Sequence, residues 1–183
     1  MRLKITTIAV VLLLLLAGCG NSNNAITVDD LSIHKVGDSK SKVTYGMSRD
    51  DAEKVLGRGE KGEGFGSWFT YNSGVQIMYR EDKVAGIALR EESAGTYETS
   101  KGAKVGMLKD ELKKIYGDNY LGDHERNLDY AYDTVNKKFL KESESPKTQE
   151  ENEKTYVISA VFDDNGYAQT IMLLDRRMAM YFN

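Results

Sequence analysis

The sequence predicts an α+β fold made of two tandem units, each a short helix packed on an antiparallel β-meander. Three observations lead to this prediction: a gapless repeat at an offset of 60 residues, glycines at both ends of each copy, and strand-like alternation after each copy. We expect the first unit over residues 26–97 and the second over residues 98–183. The two are expected to form either one continuous sheet or two similar half-domains.

The repeat aligns residues 46–57 with residues 106–117. The identical positions are Gly46/Gly106, Met47/Met107, Asp50/Asp110, Lys54/Lys114 and Gly57/Gly117. Each copy carries apolar residues at the i, i+3, i+4 spacing of a helix with one buried stripe. The spacing therefore predicts one short helix in each copy. Gly57 and Gly117 are expected to end the helices, because glycine accepts the positive φ of a helix C-terminus.

The two helices are expected to begin differently. Ser48 can cap the first helix, with Asp51 three residues later in the position that a capping box requires. Leu108 replaces that serine in the second copy. We therefore expect packing, together with Asp110 and Glu111 near the positive end of the helix dipole, to hold the second helix start.

Period-two alternation predicts three strands after each helix. The first meander is expected over residues 69–71, 75–79 and 84–89, and the second over residues 128–132, 156–162 and 168–174. Asn165-Gly166 predicts a hairpin turn in the second meander. A further strand is expected within residues 26–36. The acidic insertion at 136–155, which contains Pro146, predicts a mobile charged loop, with a partner-binding flap as the alternative.

The N-terminus has the order of a signal peptide. Arg2 and Lys4 are followed by apolar residues 8–16 and then by Ala17-Gly18-Cys19. A transmembrane anchor is the alternative, but the apolar run is shorter than the roughly 20 residues that a spanning helix needs. The ending resembles a lipobox. That resemblance implies a signal peptide over 1–18, cleavage before Cys19, diacylglycerol on Cys19, and a polar tether through residue 25.

The net charge of the chain and its predicted lipid anchor restrict the classes of binding partner. Cleavage would remove two of the 25 basic residues and none of the 28 acidic ones, which leaves a formal charge of -5. An acidic chain without a basic stripe disfavours nucleic acid as a partner. The membrane is the expected partner through the lipid. Gly20 is not the aspartate that marks inner-membrane retention in Gram-negative lipoproteins, so we favour the extracytoplasmic face of a Gram-positive cell membrane.

The sequence offers no set of residues in the roles that an active site needs. His34 and His124 have no second histidine or cysteine at zinc-ligand spacing. The only cysteine, Cys19, is assigned to the lipid, and the Gly-x-Ser-x-Gly nucleophile motif does not occur. The sequence therefore predicts a protein that is not an enzyme and that holds no metal or cofactor.

The repeat also resembles a known family. A helix of the form Gly-x-Ser-x-x-(Asp/Glu)-(Val/Ala)-x-x-x-(Leu/Tyr)-Gly, followed by a meander, is similar to the β-lactamase-inhibitor-like repeat that small outer-membrane lipoproteins of the SmpA/OmlA type share. Residues 99–102 and 116–117, around the second helix, are also similar to lipoproteins of Firmicutes. The resemblance covers residues 43–174. It implies protein binding through the exposed sheet face and no catalytic residues, although the chain lacks the disulfide cysteines of the secreted inhibitors.

Alternation assigns side chains to the two faces of the predicted sheet. Trp68, Thr70, Met78 and Arg80 are expected on the face away from the helices, and they are the candidate partner-binding residues. Strands of the second half are apolar on both sides, and such strands are normally covered on both. The expected cover is the C-terminal segment 178–182 or the other half of the molecule. An apolar patch that awaits a protein partner is the alternative.

The predicted function is that of a cell-surface lipoprotein that binds an envelope or secreted protein through the exposed sheet face, without catalysis. The alternative is an envelope structural or assembly accessory, a spacer with no dedicated sheet-face partner. A weak hydrolase is the third hypothesis. Exposure of Trp68, Met78 and their neighbours favours the binding module, and burial of these residues under the chain termini favours the spacer.

Overall fold

The computed structural model describes residues 25–62 and 68–182. The predicted signal peptide 1–18, Cys19, and the tether 19–25 apart from Ala25 lie outside the described residues. In chain order the strands and helices are β1 (Ser32–Lys35), β2 (Asp38–Thr44), α1 (Arg49–Leu56), β3 (Glu60–Lys61), β4 (Trp68–Tyr71), β5 (Val75–Arg80), β6 (Lys83–Leu89), β7 (Tyr97–Thr99), α2 (Lys109–Tyr116), β8 (Gly122–His124), β9 (Asn127–Asp133), β10 (Lys138–Phe139), α3 (Gln149–Glu153), β11 (Thr155–Phe162), β12 (Ala168–Asp175) and α4 (Arg176–Ala179).

Nine of these strands form one antiparallel sheet in the order β10-β9-β11-β12-β6-β5-β4-β3, with β8 paired to β9. The two predicted meanders are confirmed as β4–β6 and as β9, β11 and β12. They join where β12 pairs with β6, in a register that places Leu173 opposite Ile87. The fold is therefore α+β, and a single sheet continues across both meanders.

The two repeat segments start and end their helices as the sequence predicts. Ser48 Oγ accepts a hydrogen bond from the Asp51 amide at 3.2 Å, which caps α1. The second start is held in a different way, because the Leu108 amide donates to the Glu111 carboxylate at 2.8 Å. Leu108 itself is exposed, but the preceding residue, Met107, packs against the core. Gly57 and Gly117 follow the helices with φ values of 85° and 83°.

Equivalent backbone hydrogen bonds connect each repeat segment to the meander that follows it. The Gly46 amide donates to the Val84 carbonyl at 2.7 Å, and the Val84 amide donates back to Met47 at 2.8 Å. The equivalent bonds in the second copy run from Gly106 to Ala168 at 2.8 Å and back to Met107 at 2.9 Å. Each repeat segment is thereby fixed to the last strand of its own meander.

The difference in capping predicts opposite effects at equivalent positions. Ser48→Ala should lower the free energy of unfolding by about 1 kcal/mol, because the Asp51 amide loses its partner. Leu108→Ser should raise the free energy of unfolding by a smaller amount, because it introduces the missing cap while Glu111 stays in place. Urea denaturation of both variants measures the changes. A loss of stability in Leu108→Ser would contradict the assignment of Leu108 as an uncapped N-cap.

The main core lies between the sheet and the two repeat helices. Buried residues of the predicted helical stripes, Ala52 and Leu56 in α1 and Leu112 and Tyr116 in α2, contact the same face of the sheet. In the first meander, Tyr71, Val75 and Ile77 belong to this core, and Phe69 and Tyr79 pack against it. The opposite face of the sheet is therefore the one without a repeat helix.

A second sheet of three strands, in the order β2-β1-β7, covers one edge of the core. The strand expected within residues 26–36 is confirmed as β1, and its Ile33 is buried in the core. The predicted boundary between residues 97 and 98 falls inside β7, which pairs with β1 through Thr99 and Ile33. The boundary is therefore misplaced, because this strand is bonded to the start of the chain.

The charged insertion 136–155 contains β10 and α3, so the segment expected to be a loop has secondary structure in part. β10 pairs with β9, and its Phe139 ring lies 5.1 Å from that of Tyr132. Leu140 is buried on the other face of the sheet. Thr148 caps α3 by accepting from the Glu151 amide at 3.1 Å. Two apolar anchors and one capping box thus order a segment that is otherwise acidic.

Candidate functional site

The sheet face opposite the repeat helices carries a second, smaller apolar cluster. Its buried members are Met78, Ala85, Ala131, Leu140, Val157, Leu174 and Met178. Met178 belongs to α4, so the C-terminal segment folds back over this part of the sheet. The predicted cover by residues 178–182 is confirmed here. Met78 is 0% exposed, and its assignment as a partner-contacting residue is wrong because the C-terminal segment occupies that surface.

Arg80 is also engaged within the protein. Its Nη2 lies 2.7 Å from Asp175 Oδ2 and 3.1 Å from the Tyr45 hydroxyl, and the Tyr45 hydroxyl donates to the same carboxylate at 2.6 Å. Burial opposes the charge of Arg80, but the bonds to Asp175 and Tyr45 outweigh it and raise the guanidinium pKa. This ion pair links β5 to the end of β12, so Arg80 has a structural role within the protein, and its assignment to partner binding stays a prediction.

Asp175 is the residue on which this arrangement depends. It is 0% exposed. Its second carboxylate oxygen, Oδ1, accepts from the Met178 amide at 2.9 Å and so caps α4. Burial, followed by the bond to Asp175, raises the pKa of Tyr45 far above the ordinary tyrosine value. The neutral phenol and the charged Arg80 therefore both hold the carboxylate that starts the C-terminal helix.

Trp68 and Thr70 lie on the predicted outer face. The Trp68 indole is partly buried, and its ring centroid lies 5.2 Å from that of Phe182. Thr70 is exposed and accepts a hydrogen bond from Gln76 at 3.4 Å. Trp68 also borders a groove on this face, whereas Thr70 does not line that groove.

Beside the cover, the same face forms a groove of about 710 Å³. Strand register defines its floor as a single row of facing residues across five neighbouring strands: Asp129, Ser159, Met172, Ala88 and Gln76. We call this set the groove row. Arg176, Ala179, Met180 and Phe182 form the wall on the side of α4, and Leu121, Asn127, Val161, Thr170 and Arg90 also line the groove.

Small side chains give the groove its depth. Ala88 and Ser159 lie in the groove row, while the larger Trp68 and Phe182 stand at its border. A volume of this size lies within the range of about 300–1,000 Å³ that is typical of ligand-binding clefts. The lining is mixed, with apolar side chains in the centre and polar groups at the ends. The sheet face thus divides into a closed part over Met78 and an open part over the groove row.

A comparison of the chain with known protein families, with characterised proteins and with solved structures finds no match. The function must therefore be argued from the geometry of this face.

The charged residues of the groove are Arg90, Arg176 and Asp129. Within the described residues, neither arginine has a carboxylate within 4.0 Å, and Arg176 donates to the Ser145 hydroxyl at 3.3 Å. Burial raises the pKa of Asp129, and a hydrogen bond from Ser159 and the charge of His124 offset only part of that rise. The groove is therefore locally basic in a chain whose formal net charge is -3.

Ser159 lies opposite Asp129 across the β9–β11 pairing. Among the described residues that line the groove there is no histidine, so Ser159 has no imidazole base there. Across residues 25–62 and 68–182, no three His, Cys, Asp or Glu side chains gather closely enough to hold a metal ion. No helix in the same part of the chain has the length and hydropathy to span a bilayer.

Sequence reasoning named the face that carries the groove but missed most of the groove. Of the four predicted contact residues, only Trp68 lines it. The alternation of Val157, Ser159 and Val161 could have identified part of the lining from the sequence, because these three share one side of β11. The walls could not be found in this way, since they come from α4 and from Pro146 and Asn152 in the insertion.

Proposed function

We propose that the protein is a lipid-anchored, non-catalytic binding module that holds an envelope or secreted protein in the outer-face groove. The observation that carries this proposal is the open groove beside a closed C-terminal cover on the same sheet face. A fold that served only as a spacer would need neither depth on this face nor arginines that lack a carboxylate partner among the described residues. The groove combines apolar contact area with a few polar groups, as binding clefts do.

Anchoring through Cys19 is the second part of the proposal. It is supported by the basic start, the short apolar run and the small residues before Cys19. Five residues, 20–24, separate that cysteine from the first described residue, Ala25, and the six steps from Cys19 to Ala25 span about 20 Å when extended. The folded part would therefore begin close to the extracytoplasmic face of the membrane, within reach of other envelope proteins. An acidic chain in this position is not expected to bind nucleic acid.

We further propose that the fold arose from two tandem units. The equivalent hydrogen bonds of Gly46 and Gly106 support this, as do the near-equal φ values of Gly57 and Gly117. Strand order also supports it, since both β4-β5-β6 and β9-β11-β12 run in chain order from the outside of the sheet to the central β6–β12 pair. The unit would then be that of the β-lactamase-inhibitor-like repeat that the sequence resembles.

Photocrosslinking in intact cells tests the binding function. A photoreactive amino acid is placed at Gln76, which is partly exposed in the groove row, and in a second strain at Lys40, which is exposed on β2. We expect one protein to crosslink specifically at Gln76 and not at Lys40. Mass spectrometry of the crosslinked product identifies it.

Two added substitutions make the crosslinking result decisive. Met172→Asp places a charge in the centre of the groove row and should abolish the Gln76 crosslink. Tyr167→Asp, at an exposed site on the β11–β12 hairpin, should leave the crosslink intact. Absence of any specific product at Gln76, or equal products at Gln76 and Lys40, would overturn the proposal and favour the spacer.

The envelope spacer remains the second candidate because one observation favours it. The surface over Met78 and Arg80 is closed by the chain's own C-terminal segment, as expected of a fold that does not use this surface for a partner. The hypothesis of an envelope spacer assigns no role to the groove. The crosslinking experiment therefore separates the two functions.

A further inference from the structure

We infer that the groove takes an extended, acidic peptide segment of about six residues, held between Arg90 and Arg176. This inference rests on the proposed binding function and specifies the chemistry of the partner. Three features carry it: the length of the groove row, its width beside α4, and the two arginines on opposite sides of the row.

The length of the groove row sets the length of the segment. From Asp129 on β9 to Gln76 on β5 the row crosses five neighbouring strands. Neighbouring strands lie about 4.8 Å apart, so the row is about 19 Å long. An extended chain advances about 3.3 Å per residue, and about six residues cover that distance.

Next to α4, the groove row has room for an extended chain but not for a helix. α4 stands over the adjacent row of the same face, in which Leu174 contacts Met178. Same-face rows of a strand are about 7 Å apart, because they are two residues apart. A helix with its side chains is about 10–12 Å across. An extended segment therefore reaches the groove row without displacing the C-terminal cover.

The two arginines lie on opposite sides of the groove row. Arg90 directly follows β6 and Arg176 directly follows β12, and these neighbouring strands are antiparallel. Their C-terminal ends therefore point in opposite directions, one to each side of the row. Both side chains line the groove, and neither has a carboxylate partner within the described part of the chain.

Charge complementarity favours an acidic sequence for the bound peptide segment. Two guanidinium groups attract carboxylates, with which arginine forms strong paired hydrogen bonds. The one acidic group of the groove, Asp129, lies at the β9 end of the groove row, so it opposes the two arginines with a single carboxyl group. The apolar centre at Met172 and the aromatic border at Trp68 suit apolar side chains between the acidic ones. An alternating acidic and apolar sequence satisfies all of these contacts.

Two synthetic peptides test the inference. The full-length chain, held in detergent micelles, is titrated into fluorescein-labelled Glu-Val-Glu-Val-Glu-Val and into labelled Lys-Val-Lys-Val-Lys-Val, and fluorescence anisotropy gives the dissociation constants. We expect the acidic peptide to bind at least about tenfold more tightly. Arg90→Glu combined with Arg176→Glu should reverse that preference.

A matched variant controls for the change in net charge. Arg58→Glu combined with Arg126→Glu reverses two exposed arginines outside the groove lining and should keep the preference for the acidic peptide. Equal affinity for both peptides, or a preference that survives the groove double variant, would overturn the inference. A specific crosslink at Gln76 together with equal peptide affinities would remove the acidic-segment inference alone. The binding function would then stand.

Discussion

Asp175→Ala is expected to lower the free energy of unfolding by about 3–5 kcal/mol. Removing one partner of a buried ion pair leaves the other charge without compensation, which typically costs that much. Asp175 is fully buried, and Arg80, 24% exposed at its side chain, would lose its carboxylate at 2.7 Å. The Tyr45 hydroxyl and the Met178 amide would lose their acceptor at the same time.

The same substitution should also release the C-terminal cover. α4 is capped by Asp175, and Phe182 packs against Trp68 at the end of that segment. Trp68 is the only tryptophan of the chain, so its fluorescence reports on this contact alone. We expect a red shift of Trp68 emission in folded Asp175→Ala, alongside the lower midpoint in urea.

An exposed ion pair provides the control. Asp164 pairs with Arg126 at 2.8 Å on the surface, and its side chain is 87% exposed. Such pairs contribute little because solvent screens them. Asp164→Ala should therefore change stability by less than about 0.5 kcal/mol and leave Trp68 emission unchanged. If Asp175→Ala behaved like Asp164→Ala, the central role assigned to Asp175 would be wrong.

Leu173→Ala is expected to cost about 2–5 kcal/mol of unfolding free energy, as buried leucine truncations do when a cavity remains. Leu173 is fully buried on the helix-facing side of β12. It lies opposite Ile87 of β6 and Ile158 of β11, so its side chain joins the two meanders in one core. A cavity here lowers the stability of both meanders together. A single unfolding transition should therefore persist, with its midpoint at a lower denaturant concentration.

Met172 is the matched control for Leu173, since it is the preceding residue on the same strand and points to the other face. It is partly exposed in the groove row. Met172→Ala should lose only about 1 kcal/mol, because a half-buried side chain leaves no closed cavity. Chemical denaturation of both variants measures the difference. Two separate transitions in Leu173→Ala would instead indicate that the meanders fold independently.

The elements that sequence reasoning predicted well are those with local signals. α1 and α2 have glycines and caps within a few residues of their ends, and the strands of both meanders show period-two alternation. β2 was missed because it is a polar strand with mostly exposed side chains, and such a strand lacks an apolar alternation. α3 had a local signal, the capping box of Thr148 and Glu151, which the acidic composition of its surroundings obscured.

The groove required contacts that no local pattern contains. Tyr45 and Asp175 are 130 residues apart in the chain, yet their hydrogen bond helps to place α4 over the sheet. Alternation correctly placed Met78 on the outer face, but only the fold-back of the C-terminal segment decides that it is buried. Sequence reasoning could therefore name the face, while the exposure of each residue on it depended on tertiary structure.

The position of β12 has a consequence for the order of folding. During synthesis from the N-terminus, β4, β5 and β6 can pair early, but β12, the neighbour of β6, is made much later. Until residues 168–175 are available, the edge of β6 from Gly86 to Leu89 has no partner. Open edges of this kind invite pairing with other chains. The sheet, and the groove built across it, can therefore be completed only after residues 168–175 have been made.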